Sequence, residues 1–281
     1  MSDNEEVRTI AAAHRLITEY YAVHGRHDLP WRQPEANGQF DPYKIMVSEL
    51  MLQQTQVPRV IPKFTAFLSV FPNVTTLAAA PLGAVLTQWS GLGYNRRAKF
   101  LWQAAQVIMQ DYAGGLPKTA EQLVHLPGIG PNTAGAILAY AFNQPALFIE
   151  TNIRSVFIHH FFSGQDAVRD AEITSKLAAM LAAEPDPRTF YWAVMDYGTY
   201  LKQTVGNTAR LSAAYTRQSK FAGSRRQVRG VILRELATQP QTVNTLRISI
   251  ADTRLADVLT ELLGEGLIAY DATTGAYSLP S

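Results

Sequence analysis

Two helical stretches meet at Leu126-Pro127-Gly128-Ile129-Gly130, and this Gly-x-Gly joint constrains the chain more than any other segment. Glycines at its corners allow backbone that a side chain would forbid. The second helix then opens with backbone N–H groups that can hold a phosphate without Lys or Arg. Further along, Ile149-Glu150-Thr151-Asn152 supplies an acid that could act on the same ligand. A tight joint between two packed helices would use the same glycines, so the rest of the chain has to decide between the two readings.

The 281 residues suffice for a sizeable core and roughly two folding units. No apolar run has the form of a signal peptide or the length to span a bilayer, which predicts a soluble, cytoplasmic protein. Cysteine is absent, excluding disulfides, thiolate nucleophiles, Cys-ligated zinc and iron-sulfur clusters together. His159-His160 reads as helix packing rather than as a metal site. The net charge is only +2, but the charges are segregated. Asp3, Glu5 and Glu6 lie at the start, and the span from Lys202 through Arg210, Arg217, Lys220, Arg225, Arg226 and Arg229 to Arg234 has no acid. Such a run fits a solvated face or a phosphate-contacting surface.

Up to about residue 222 the chain reads as short helices broken by Pro, Gly and Asn. Val60 to Val70 and Leu77 to Trp89 carry the i, i+3, i+4 spacing of buried helix faces, with breaks at Pro72 and Pro81. Thr119 with Gln122 predicts a capping box before the joint, and Pro131 suits the first turn after it. Phe221-Ala222-Gly223-Ser224 reads as a linker. Beyond it Val228 to Leu236 is helical, and Leu255, Val258, Leu259, Leu262 and Leu263 form an apolar stripe ending at Gly264. Leu267 to Tyr270 and Ala276 to Leu279 predict a hairpin through Thr273-Thr274-Gly275. These elements predict a small winged-helix-like α+β domain over 224–281, with its second helix unplaced.

Leu29-Pro30-Trp31-Arg32, Asp41-Pro42-Tyr43, the run from Ser48 to Val57, Gly91-Leu92-Gly93-Tyr94, the Leu126 to Gly130 joint and Met195-Asp196-Tyr197-Gly198 follow in that order. Together they resemble the helix-hairpin-helix DNA glycosylases, and among them the A/G-specific adenine glycosylases of the MutY type. The resemblance covers about residues 28–200. It implies a mainly α, two-lobed fold: a six-helix barrel at about 33–142, and a second lobe from about 1–32 plus 143–222. It also implies a DNA cleft between the lobes into which the target base is flipped.

By that resemblance Glu49 is the catalytic acid. Among Leu50, Met51 and Leu52 a carboxyl is expected to be largely buried, held protonated and able to donate to adenine N7. Glu150 matches the family Asp that faces the oxocarbenium-like sugar, with Asn152 beside it in the catalytic set. It is one methylene longer, which displaces the carboxylate by about 1 Å on an unchanged backbone; a helix-capping role for the same residue is compatible. Gln54 and Tyr94 match residues that enter the duplex around the mispair. Gln53, Thr55, Leu126, Gly128, Gly130, Asn132 and Thr133 are further DNA-contact positions. Trp31 and Arg32 match the adenine-side motif, although a core Trp with a surface Arg would read alike.

Three departures bear on function. Asn132 stands where related bifunctional enzymes carry a Schiff-base Lys, which predicts a monofunctional hydrolase. Lys202, Ala209, Ser212 and Gln218 stand at the positions of the family's iron-sulfur ligands, so no cofactor is expected. The C-terminal segment is too short for the family's 8-oxoguanine-sensing domain. The reading is therefore a base-excision-repair glycosylase, a monomer acting on double-stranded DNA and removing adenine opposite 8-oxoguanine or guanine. Excision of uracil or thymine from G mispairs, and DNA binding without catalysis, are the alternatives.

Overall fold

The computed structural model describes residues 3–182, 184–217 and 220–281, with side chains from residue 7 onward. In chain order the helices are α1 (Asp3–His24), α2 (Pro42–Leu52), α3 (Val57–Val70), α4 (Val74–Ala79), α5 (Leu82–Trp89), α6 (Arg96–Asp111) and α7 (Ala120–Leu123). They continue with α8 (Pro131–Phe142), α9 (Thr151–Phe161), α10 (Asp170–Leu181), α11 (Pro187–Thr204) and α12 (Arg225–Leu236). The last part holds β1 (Gln241–Thr242), α13 (Val243–Ser249), α14 (Leu255–Gly264), β2 (Ala269–Asp271) and β3 (Ala276–Ser278). Among the described residues, no helix is long and apolar enough to cross a membrane.

Local chemistry sets many of these boundaries. Pro81 separates α4 from α5 as expected, and the Asn73 side chain accepts from the Thr76 amide to open α4. Thr119 caps α7 through the Gln122 amide, but the return arm of the expected box is missing: the Thr119 hydroxyl reaches Gln122 Oε1 instead. Pro131 occupies the first turn of α8, and Asn143 closes that helix in the left-handed region at φ 54°.

The chain folds as two units, each assembled from segments distant in sequence. One comprises Met1–Ile45, Lys118–Val124 and Ile129–Arg217; the other comprises Met46–Pro117, His125–Gly128 and Gln218–Ser281. In the first, α11 packs on α9, α1 and α8, around Phe157, Phe190 and Tyr191. In the second, α6 packs on α4 and α5, around Phe67, Trp89 and Leu101.

The second unit also contains the C-terminal elements. Their order, helix, strand, two helices, two strands, with the sheet arranged β1-β3-β2, is that of a winged helix. Helix α13 is the second helix that the sequence left unplaced; Thr242 caps it through the Thr245 amide. The two-residue β1 is too short to show a period. Strand β2 begins two residues later than expected, after the buried Leu267 and Ile268. The turn after α14 is made by Gly266 at φ 62°, two residues past the expected Gly264, with the Leu267 amide on the Leu262 carbonyl at 2.9 Å. The module is fastened within its unit at several points. Helix α12 packs on α5, Lys99 Nζ donates to the Glu265 carbonyl, and the Gly83 amide donates to the Pro280 carbonyl at 2.8 Å.

Candidate active site and DNA-binding elements

In the joint between α7 and α8, Leu126 and Ile129 are buried while Gly128 and Gly130 lie at the surface. The Leu126 side chain therefore anchors the turn from inside. Gly128 is needed on two counts: its φ is 78°, and a Cβ there would stand 2.6 Å from the Cβ of Phe100. Gly130 is the N-cap of α8 and offers no side-chain cap, so the opening amides of that helix keep the character expected of an anion site.

The first unit carries the acid Glu150. It is the N-cap of α9, and both of its bonds to that helix fall on Oε1, from the Asn152 amide at 2.7 Å and the Ile153 amide at 3.3 Å. The carboxylate is thus folded back over the first turn of its own helix. Although the residue is only half-buried by area, its carboxylate is closely surrounded. Burial raises its pKa, against the opposing pull of the Asn152 amide, the Lys202 charge, the Ile153 amide and the Arg154 charge. Lys202, from α11, donates to Asn152 Oδ1 at 2.6 Å. Burial lowers the pKa of that ammonium, while Glu150 acts to raise it. Gly198, one turn earlier on α11, lies so close to α9 that a Cβ would stand 2.8 Å from Asn152. Asn132 is exposed, and its Oδ1 accepts the Ile149 amide at 3.2 Å, tying the start of α8 to the strand of chain before Glu150. Thr133, next along α8, is half-buried.

Trp31 and Arg32 lie in a 3-10 turn and are both buried. Arg32 is therefore not the surface residue that the alternative reading had. Its Nη1 and Nη2 donate to Asp196 Oδ2 at 2.9 Å and Oδ1 at 3.0 Å, and Arg26 joins the same carboxylate through its backbone amide at 2.7 Å and its guanidinium. Burial would raise the Asp196 pKa, but the bonds from Arg32 and Arg26 outweigh it and hold the group below the usual range. His160 stacks on Tyr197 at 5.6 Å, and burial lowers its pKa to about 4.

Glu49 is in the second unit, on α2, half-buried between the fully buried Ser48 and Leu50 and so more open than expected. Past the helix, Gln54 is exposed with φ 55°, and Gln53 and Thr55 are half-buried. Tyr94 is half-buried with φ 49°. Both loops close on one residue that the sequence reading missed. Arg97, 7% exposed, donates from Nη1 to the carbonyls of Leu50 at 2.7 Å, Met51 at 2.9 Å and Gln53. From Nη2 it reaches the Thr55 hydroxyl and the Gly93 carbonyl, both at 3.0 Å. The signal was an Arg on the apolar stripe that α6 shares with Leu101, Ala104, Ala105 and Ile108.

Two residues of the acid-free basic run are paired with acids remote in sequence. Arg225 pairs with Glu261 and Asp257, and Arg229 with Glu265 and Glu261, all on α14 or just past its end. Arg254, another residue that could face DNA, pairs with Asp252. Nor do the iron-sulfur positions fit a cluster: Lys202 is bonded to Asn152, Ala209 is buried and has no donor atom, and the Ser212 hydroxyl accepts the Ala214 amide. Gln218 lies outside the described residues.

Residues 47–181 match the HhH-GPD superfamily of base excision DNA repair proteins. The chain is 33% identical over 268 residues to the adenine DNA glycosylase of Mycolicibacterium smegmatis, covering 89% of this chain and 90% of that one. It is 40% identical over 153 residues to that of Buchnera aphidicola, covering 54% of this chain and 42% of the relative. The chain thus spans less than half of the Buchnera protein. Among solved structures, a thermostable thymine-DNA glycosylase aligns with TM-score 0.59 at 23% identity, over 70% of this chain and 88% of that one. A trapped endonuclease III–DNA covalent intermediate aligns with TM-score 0.55 at 17% identity, over 72% and 86%. The structural likenesses establish the fold, and the mycobacterial match the lineage: the chain belongs to the HhH-GPD superfamily of base excision DNA repair proteins, among the adenine DNA glycosylases.

Proposed function

We propose that this protein is a monofunctional adenine DNA glycosylase, hydrolysing the N-glycosidic bond of adenine opposite 8-oxoguanine or guanine in double-stranded DNA. Glu49 donates a proton to the leaving adenine. The ionised Glu150 faces the positive charge that develops on the sugar, and water completes the hydrolysis. Asn152 holds the neighbouring ammonium of Lys202 at its side chain. The first-turn amides of α8 bind a phosphate, and Gln54 and Tyr94 fill the space left by the flipped base. Residues 1–222 form the catalytic part and 224–281 an accessory module, in a monomer.

The observation that carries this reading is the carboxylate of Glu150, fixed by two amides at the start of α9. The same stretch supports hydrolysis without strand cleavage, because the position of the Schiff-base Lys is held by Asn132, whose side chain accepts the Ile149 amide. The test is release of bases from a panel of mispaired duplexes, read with and without alkali. Adenine release with strand breaks only after alkali is expected. Glu49→Gln should abolish release, and Glu150→Gln should slow it by roughly 10²-fold or more. Release of thymine or uracil instead of adenine, or breaks without alkali, would overturn the assignment.

A further inference from the structure

Two guanidiniums stand over the ring of Tyr94. Arg97 stands 5.4 Å from its centroid and Arg226 also 5.4 Å, and Arg226 Nη1 donates to the Tyr94 hydroxyl. Arg97 belongs to α6, whereas Arg226 comes from α12 of the C-terminal module. Its neighbours Arg225 and Arg229 turn to the acids of α14 and Glu265 instead. Because α12 also packs on α5 and the module is bonded through Glu265 and Pro280, Arg226 is presented from a fixed base. A cation over the ring together with a bond to its hydroxyl restricts the side chain before any ligand arrives. Such restriction lowers the ordering cost of binding.

We propose that Arg226 is a positioning residue through which the C-terminal module sets Tyr94 for entry into a mispaired duplex. The proposal rests on the reading of Tyr94 as the ring that enters the helix. It gives the module a part in recognising the mispair, by shaping the wedge rather than by reading the opposite base.

The experiment is a double-mutant cycle in the full chain, measuring affinity for mispaired and fully matched duplexes of one sequence alongside single-turnover adenine release. Arg226→Gln and Tyr94→Phe should each weaken mispair binding by roughly tenfold and leave matched-duplex binding unchanged. The double variant should be no weaker than either single one. Additive losses, no loss in Arg226→Gln, or an equal loss on both duplexes would overturn the proposal, the last by showing a plain phosphate contact. Tyr94→Leu separates the two layers. If Leu leaves mispair binding intact, the underlying reading of Tyr94 fails; if Leu weakens it while Arg226→Gln does not, only the coupling fails.

Discussion

Arg32 and Arg97 are equally buried, at 7% exposure, yet their surroundings differ in kind. Arg32 meets a carboxylate, Asp196, which it shares with Arg26. Arg97 has carbonyls and a hydroxyl around its guanidinium. Burial lowers its pKa to about 10, which still leaves it charged at neutral pH. The first arrangement ties α11 to the turn after α1 through an ion pair. The second satisfies the donors but leaves a net positive charge beneath the Gln54 and Tyr94 loops. One buried Arg is matched by a carboxylate, while the other is held by neutral acceptors and keeps its charge.

The comparison is broken most severely by Asp196→Asn, which strands Arg32 without a counter-charge. A loss of about 3–5 kcal/mol in urea unfolding is expected. The same pair sets an acid limit. Since the folded pKa of Asp196 is depressed, its stabilisation is complete above the unfolded value and disappears as pH falls through the folded one. Arg97→Met should cost less in stability, about 1–3 kcal/mol, but should also weaken mispair binding, because both loops lose their common anchor. An affinity unchanged in Arg97→Met would show that the charge and the anchoring are not used. Gly128→Ala tests backbone instead of charge and should cost about 1–3 kcal/mol for the forced left-handed conformation, read by the thermal midpoint.

The smallest effect sharpens the contrast from a third cation. Lys202 is bonded to a neutral amide oxygen but lies within the field of Glu150. The groups acting on that carboxylate are the Asn152 and Ile153 amides, Lys202 and Arg154, the last also paired with Asp170 of α10 at 2.6 Å. Activity that needs ionised Glu150 is lost as pH falls through its raised pKa. Lys202→Met should move that acid limb to higher pH and leave the rate at high pH unchanged, whereas Lys202→Arg should keep the limb in place. An unmoved limb in Lys202→Met would remove Lys202 from the site.

Most of the helices were legible because their apolar spacing and their caps, such as Thr119 and Pro131, are local signals. The winged-helix order was legible only in part: the stripe of α14 is periodic, but β1 is two residues long and α13 only seven. Glu49 and Glu150 were found through ordered motifs. Burial could be judged only coarsely for Glu49, because its neighbours along the chain do not fix which side of α2 it takes. Arg97 was missed because its acceptors are mainly backbone carbonyls, which no residue type announces. The pairing of Arg225 and Arg229 was not legible for the opposite reason: the acids that meet them lie on α14 and at its end, far along the chain.

The bond from the Gly83 amide to the Pro280 carbonyl has a consequence for biosynthesis. Its halves are separated by about 200 residues, which a ribosome adding 5–20 residues per second supplies over roughly 10–40 s. Throughout that interval α5 waits without the partner that covers Gly83, while the first unit, whose last segment ends at Arg217, has all its segments available sooner. The second unit is then expected to be completed after the first, with α2 to α6, although made early, the longer exposed to chaperones.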